Sequence, residues 1–189
     1  MQITLPGPFE MQWVPRRIVL HWTAGAGQAS QNDKKHYHLL VEQDGTLVAG
    51  EPSIASNCRS LSGAHGWSHD HPDGYAPHTR GFNSYSIGVS LCGMMGATEG
   101  PPIMPGAHPL SVSQTDALIP LLAMICKLYG LWPTSHTIVT HEEVQRLHGV
   151  KQRGKWDITW LPTNEGVIEG NAVGPWIRQR VAAQMMHAA

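Results

Sequence analysis

Short β-branched runs, set far apart along the chain, constrain its fold more than any other feature of the sequence. The run RIVLHW at residues 17–22 is apolar and bounded by proline and glycine, which is typical of a core strand. SYSIGVSLCG at 84–93 places its large apolar residues on one face, and HTIVTH at 136–141 is a third run. Together they predict a sheet assembled from segments that are distant in sequence.

The segment between the first two runs is rich in turn signals. Residues 36–50 form two alternating runs around Gln43-Asp44-Gly45, which indicates a β-hairpin. More than half of the glycines and half of the prolines lie between Gly45 and Pro109, so this region is predicted to be largely loop.

Two helices are predicted in the C-terminal half. Ser113-Gln114-Thr115-Asp116 contains an N-cap candidate, and the apolar stripe that follows ends at Gly130. Pro120 is expected to kink this helix or to delay its start. After the third strand the chain is predicted to be irregular through Pro162, with a last helix at about 175–187. The predicted fold is one α/β domain over residues 1–189, a central mixed sheet flanked by helices, with no second domain.

The composition excludes several classes of protein. A chain of 189 residues suits one domain, and 41% hydrophobic with 14% charged residues is neither disordered nor a coiled coil. The net charge of −1 provides no basic field for nucleic acid or an anionic membrane. The apolar stretch at 118–132 is too short to cross a bilayer. Residues 1–17 lack the apolar core of a secretory signal, so we expect cytoplasmic synthesis without membrane insertion.

Twelve histidines make metal binding the first chemistry to consider, whereas the three cysteines form neither a metal knuckle nor a disulfide framework. His21 and His141 each end a predicted strand, where a polar side chain is rigidly held at the rim of the sheet. A catalytic zinc needs three protein ligands and one open position, and Asp157, two residues after Lys155, offers a third ligand. His148 is an alternative third ligand without a neighbouring lysine. On spacing alone, two structural histidines are the more common interpretation.

Five motifs carry a family resemblance. IVLHWTAG, YHLLVEQDG, HTRGFNSYSIGVSLCG, VTHEEV and KWD stand in the order found in zinc-dependent N-acetylmuramoyl-L-alanine amidases. The chain resembles this family, which includes phage lysozyme-type amidases, AmpD-type recycling enzymes and peptidoglycan-recognition proteins. The motif-bearing part covers about residues 17–162. The resemblance implies the amidase and recognition-protein fold, and hydrolysis of the amide bond between N-acetylmuramic acid and L-alanine in peptidoglycan.

The resemblance also assigns roles to individual residues. His21 and His141 match the first two zinc ligands, and Asp157 matches the third, which implies one Zn²⁺ per chain. Lys155 matches the lysine that stabilises the negative charge developing on the carbonyl oxygen. Tyr37 matches the tyrosine that assists catalysis in phage and recognition-protein amidases.

Two departures from the family pattern are informative. The recycling enzymes carry a glutamate, their proton shuttle, where this chain has Ser90. Ser90 therefore favours the phage lysozyme-type branch and leaves the proton-transfer residue open. The interval between His21 and Tyr37 is short, so the helix that the family places there is expected to be short or absent, with a low wall on that side of the groove.

The histidine-rich loop offers further candidates. The family has one histidine here that lines the substrate groove, and both His78 and His65 fit it, with His78 favoured. A second metal held by His65, His69, His71 and Asp73 is the less favoured reading of this loop, and a solvated insertion is preferred. Trp156, between Lys155 and Asp157, is a candidate for stacking on a sugar face.

These observations lead to one expected function and two alternatives. We expect a monomeric zinc amidase acting on peptidoglycan and muropeptides as a phage endolysin, a bacteriolytic and antimicrobial enzyme that degrades the cell wall. It would act on the periplasmic wall after release by a separate route. The alternatives are a muropeptide-binding recognition module without turnover, and an amidase effector injected into rival bacteria.

Overall fold

A five-stranded mixed sheet organises the protein, as the computed structural model of residues 14–61 and 74–187 shows. Its spatial order is β3-β2-β4-β1-β5. Neighbouring strands run parallel except β3, which pairs antiparallel with β2 in the predicted hairpin. The strands are β1 (Arg17–Trp22), β2 (Leu39–Val41), β3 (Leu47–Ala49), β4 (Ser86–Leu91) and β5 (Ile138–Thr140). A separate antiparallel hairpin consists of β6 (Trp160–Thr163) and β7 (Gly166–Glu169).

Residues 14–61 and 74–187 contain five α-helices, and together with the sheet they confirm the predicted α/β architecture. They are α1 (Gln31–His36), α2 (Ile54–Asn57), α3 (Val112–Tyr129), α4 (His141–His148) and α5 (Val173–His187). The six-residue α1 agrees with the short helix expected between His21 and Tyr37. Within the described ranges, no helix has both the length and the apolar character that crossing a bilayer requires.

The two faces of the sheet are lined by different side chains. In β1, Ile18, Leu20 and Trp22 belong to the main hydrophobic core, together with buried residues of α3 and α5. Val19 instead joins a small cluster with Val144 of α4 on the opposite face. Because side chains alternate along a strand, His21 lies on the same face as Val19. The candidate site is therefore on the face away from α3 and α5, near the carboxyl ends of β1 and β5.

The long helix α3 begins two residues earlier than predicted. Its N-cap is Ser111, whose side chain accepts a hydrogen bond from the backbone N–H of Gln114, while the Gln114 side chain accepts from the backbone of Ser111. The Gln114 amide also donates to the carbonyls of Val41 and Cys92, which fixes this end on the sheet. The helix starts at Val112 and continues through Pro120, so this proline does not delay its start, and it ends at Gly130 as predicted. Gly130 adopts the left-handed conformation at φ 65°.

The stretch predicted to be irregular contains regular structure. Thr140 is both the last residue of β5 and the N-cap of α4, so His141 is the first residue of a helix rather than the end of a strand. A capping box between Thr140 and Glu143 starts this helix without a loop. The last helix begins at Val173 instead of 175, and Pro175 is tolerated as its third residue because N–H groups of the first turn have no partner within the helix.

Candidate metal centre

Three buried side chains converge on one point of the polar sheet face. The Nδ1 atoms of His21 and His141 are 3.0 Å apart, and the Oδ2 atom of Asp157 is 3.1 Å from the first and 3.0 Å from the second. Ligand atoms placed tetrahedrally at about 2.0–2.1 Å from a zinc ion lie about 3.3 Å from one another. The triangle formed by these atoms therefore has nearly the size of one face of a tetrahedral metal site.

Each of the three ligand candidates comes from a different part of the fold. His21 belongs to β1, which lies between β4 and the edge strand β5, and His141 opens α4 directly after β5. Asp157 lies in the loop before β6, and its carbonyl accepts a hydrogen bond from the backbone N–H of Glu142. The loop that carries the carboxylate is thus attached directly to the first turn of α4.

Hydrogen bonds behind His141 set its tautomer. Its Nε2 atom lies 2.9 Å from Oε1 of Gln152, whose amide nitrogen donates to the carbonyls of Arg80 and Val150. The Gln152 oxygen is therefore an acceptor, so His141 donates from Nε2 and leaves the lone pair of Nδ1 directed at the other two ligand atoms. Outer hydrogen bonds of this kind orient histidine ligands in metal sites.

A second set of hydrogen bonds sets the tautomer of His21. Nε2 of His78 faces the carbonyl of Ser86 at 3.4 Å, which leaves Nδ1 of His78 as an acceptor. Thr79 contacts that Nδ1 atom at 2.8 Å, and Nε2 of His21 is 3.2 Å from both Thr79 Oγ1 and His78 Nδ1. His21 therefore donates from Nε2, and its Nδ1 lone pair also faces the centre.

The resulting arrangement calls for a cation. Two bare imidazole nitrogens and a carboxylate oxygen, all acceptors, stand about 3 Å apart in a buried place, where their mutual repulsion is weakly screened. Burial lowers the pKa of His21 to about 4, against a smaller opposing effect of Asp157. Burial would raise the pKa of Asp157, but when no cation is bound the positive charge of a protonated His141, with hydrogen bonds donated by His141 and His21, outweighs it and holds that pKa below its usual range. The donor set is thus neutral nitrogen plus ionised carboxylate, which suits a metal ion.

The other predicted residues surround this centre to different degrees. The Tyr37 ring lies against His21, with centroids 5.2 Å apart, and burial raises the pKa of its phenol, as does the charge of Asp157. Lys155 is exposed, and its charge contributes to lowering the pKa of His21. Trp156 is half-buried, edge-on to Trp22 at 4.7 Å between ring centroids.

The histidine candidates differ in their position relative to the ligand triangle. His78 is 7% exposed and lies behind His21, so its surface available to a substrate is small. His148, the alternative third ligand, instead contacts the carbonyl of Ser135 and the ring of Phe82, away from the triangle. His65, His69, His71 and Asp73 lie outside the described residues.

Sequence reasoning missed the residues that hold the ligands. Gln152 and Thr79 lie in loops, and no local pattern distinguishes them from ordinary polar loop residues. Ser90, by contrast, was already singled out in the sequence. The structure shows it as the register partner of His21 on β4, fully buried beside it.

Comparison with known proteins gives one family match and several structural likenesses. The sequence profile of the N-acetylmuramoyl-L-alanine amidase family matches residues 11–158, a range that includes all three ligand candidates. No curated protein matches the chain. Among solved structures, the Ph2119 endolysin from a Thermus scotoductus bacteriophage is 23% identical over 69% of this chain and 73% of that chain, with a TM-score of 0.42. The amidase LysC from Clostridium intestinale is 17% identical over 80% and 96%, with a TM-score of 0.45. The Drosophila peptidoglycan recognition protein PGRP-LB is 15% identical over 76% and 87%, with a TM-score of 0.40.

Proposed function

The chain belongs to the N-acetylmuramoyl-L-alanine amidase family, and from this premise we propose that it is a zinc-dependent amidase acting as a phage endolysin. The bond cleaved is the amide between N-acetylmuramic acid and L-alanine of peptidoglycan. The observation that carries the proposal is the buried triangle of His21, His141 and Asp157, with both imidazole lone pairs directed inwards.

Zinc is the metal that this donor set suits best. Two imidazole nitrogens and one carboxylate oxygen are common zinc ligands, and a set of three leaves a position for water or substrate. When bound, zinc would supply Lewis acidity and lower the pKa of a coordinated water to roughly 7. His141 and His21 would bind the metal as neutral, already oriented imidazoles, since Gln152 and Thr79 accept hydrogen bonds from their Nε2 atoms.

Lys155 and Tyr37 complete the proposed chemistry. Lys155 has an exposed ammonium two residues from Asp157, and it would bind the carbonyl oxygen as negative charge develops there. The raised pKa of Tyr37 keeps its phenol protonated at neutral pH, so it can donate a hydrogen bond or hold the proton that the departing L-alanine nitrogen requires.

Substrate contacts are proposed for Trp156 and His78. Trp156 is half-buried, and its remaining surface beside Lys155 is available to a sugar face. His78 would reach a substrate only through its small exposed edge, in addition to supporting His21.

The proposed endolysin role rests on Ser90, since the recycling branch of the family carries a glutamate there. We expect cytoplasmic expression to leave bacteria intact until the inner membrane is permeabilised, after which the wall is degraded. Lysis without permeabilisation, or protein found in an intact periplasm, would contradict this delivery route.

The amidase reaction is tested by mass spectrometry of purified peptidoglycan after digestion. The expected products are stem peptides with a free L-alanine amine, absent after chelation and restored by Zn²⁺. Lys155→Met should lower turnover by about 10²–10³-fold, the usual effect of losing one oxyanion donor, whereas Lys151→Met, at an exposed lysine four residues earlier, should not. Reducing sugar ends or cuts within the peptide would contradict the proposal. Intact polymer with bound protein would establish the recognition module instead.

A further inference from the structure

An ion pair away from the metal centre joins the C-terminal helix to the segment that carries His141. Arg178 of α5 donates from Nη1 to Oε2 of Glu143 at 2.8 Å and from Nη2 to Oε1 at 2.9 Å. The two side chains are only 13% and 2% exposed. This two-point geometry fixes the direction of the carboxylate as well as its position.

The same ion pair forms hydrogen bonds with backbone groups of the edge strand β5. Nη1 of Arg178 donates to the carbonyl of Ile138 at 3.0 Å, and the N–H of Thr140 donates to Oε2 of Glu143 at 3.0 Å. Because β5 is the last strand of the sheet order, no further strand among the described residues pairs with it on this side. The ion pair therefore replaces the missing neighbour at the residues immediately before His141.

Glu143 also controls how α4 begins. Its backbone N–H donates to the Thr140 side chain at 3.3 Å, completing the capping box around the first helical turn. His141 is the first residue in that turn, directly after Thr140. The backbone orientation of this ligand candidate is thus set by Thr140 on one side and Glu143 on the other, and Arg178 holds Glu143.

A glycine in α5 leaves room for this carboxylate. A Cβ atom added at Gly174 would lie 2.4 Å from Oε1 and 2.6 Å from Cδ of Glu143. Gly174 is not among the residues with positive φ, so its backbone conformation does not call for glycine. We therefore attribute the glycine at position 174 to the space that the Glu143 carboxylate needs.

We propose that Arg178, Glu143 and Gly174 are positioning residues for the metal centre, acting through the capping box on the orientation of His141. The inference rests on the proposed zinc function, and it makes α5 part of the metal site although α5 lies beyond residues 11–158, the range of the family match. None of the three residues belongs to the ligand triangle.

The zinc dissociation constant, measured by competition with a chromophoric chelator, tests this inference in the full-length protein. Arg178→Gln is expected to weaken zinc binding by about 10–100-fold, the range observed when outer partners of metal ligands are removed. Arg178→Lys keeps the charge but not the two-point geometry, so its zinc affinity should lie between those of the wild type and the Arg178→Gln variant. Arg180→Gln is the matched control on the same helix, because Arg180 pairs with the exposed Glu165. Its zinc affinity should equal that of the wild type.

Gly174→Ala separates positioning from simple destabilisation. Alanine favours a helix more than glycine does, but its Cβ would displace the Glu143 carboxylate, so a purely structural role predicts a changed free energy of unfolding with unchanged zinc affinity. Our inference predicts weaker zinc binding and an altered visible absorption spectrum of the Co²⁺-substituted protein, because the carboxylate must move. If the wild type binds no zinc, the proposed function fails. If it binds zinc and the Arg178→Gln and Gly174→Ala variants match its affinity and spectrum, only this inference fails.

Discussion

The two faces of the central sheet differ in chemistry although the same strands build both. On one face, alternate residues of β1 and β4 pack with α3 and α5 into an apolar core. On the other, the intervening residues include His21 and Ser90, next to His78 and Tyr37. Because successive side chains of a strand point to opposite faces, a residue of the apolar core and a residue of the candidate site can be direct neighbours in sequence.

This difference implies that the two faces respond to substitution in different ways. The apolar face is held by burial and close packing, so damage there should reduce the free energy of unfolding. The ligand triangle on the polar face holds acceptor atoms close together, so its three residues are expected to contribute little to the stability of the metal-free protein. The predictions below test this separation.

Asp157→Ala should have the largest effect on activity. Metal activation is worth several kcal/mol, and at about 1.4 kcal/mol per tenfold its loss corresponds to at least about a thousandfold lower turnover. Zinc content should fall with it, while the unfolding midpoint of the metal-free protein stays close to that of the wild type. Turnover on purified peptidoglycan and elemental analysis measure both. Asp116→Ala, at an exposed carboxylate of α3, is the control. Retained zinc and activity in the Asp157 variant would remove it from the metal centre.

Leu122→Ala should have the opposite profile. Leu122 is fully buried in the core beneath the sheet, and truncating such a leucine costs about 2–5 kcal/mol of unfolding free energy. Zinc stoichiometry and turnover should remain unchanged at temperatures where the variant is folded. Urea unfolding gives the free energy, and Met124→Ala, at a side chain 43% exposed on the same helix, is the matched control. A large loss of zinc affinity in the folded Leu122 variant would mean that the faces are coupled.

Gln152→Ala should weaken the polar face without removing a ligand. His141 would lose the acceptor for its Nε2 proton, and zinc affinity should fall by about 10–100-fold. Chelator competition measures the affinity, with Gln179→Ala at an exposed position of α5 as the control. An unchanged affinity would show that Gln152 does not set the tautomer of His141.

The smallest predicted effect concerns acid stability. His38 is buried with Nδ1 accepting the Gly88 N–H, and burial lowers its pKa to about 4. The unfolded chain, with a histidine pKa near 6.5, therefore binds the proton first, so the stability due to neutral His38 is complete well above pH 6.5 and is lost as pH falls towards 4. His38→Gln should lose about 1 kcal/mol less than the wild type between pH 6.5 and 5.5, measured by urea unfolding of metal-free protein. Parallel losses would contradict this assignment.

Local patterns account for the parts of the fold that the sequence predicted. The β-branched run of β1, the Asp-Gly turn between β2 and β3, and Gly130 after α3 each act within a few residues, so they could be identified without the structure. The start of α4 had a local signal too, since Thr140 and Glu143 have the spacing of a capping box, but the strand prediction for HTIVTH obscured it.

The candidate ligands and their neighbours Tyr37 and His78 were predicted by resemblance, and the side chains that orient the ligands were not. Gln152, Thr79 and Arg178 become relevant only because the fold brings them to His141, His21 and Glu143 from distant positions. Such contacts leave no periodicity or motif in the sequence. The position of the site on a sheet face also depends on which side of β1 the helices cover, which a strand pattern alone does not determine.

Zinc titration into metal-free protein, with release of L-alanine amines from purified peptidoglycan as the readout, tests the central claim most directly. Our account predicts activity that rises linearly and reaches its plateau at one zinc per chain, with no rise in the Asp157→Ala variant. Full activity without added metal, or a plateau that persists when Asp157 is replaced, would contradict a zinc centre built from His21, His141 and Asp157.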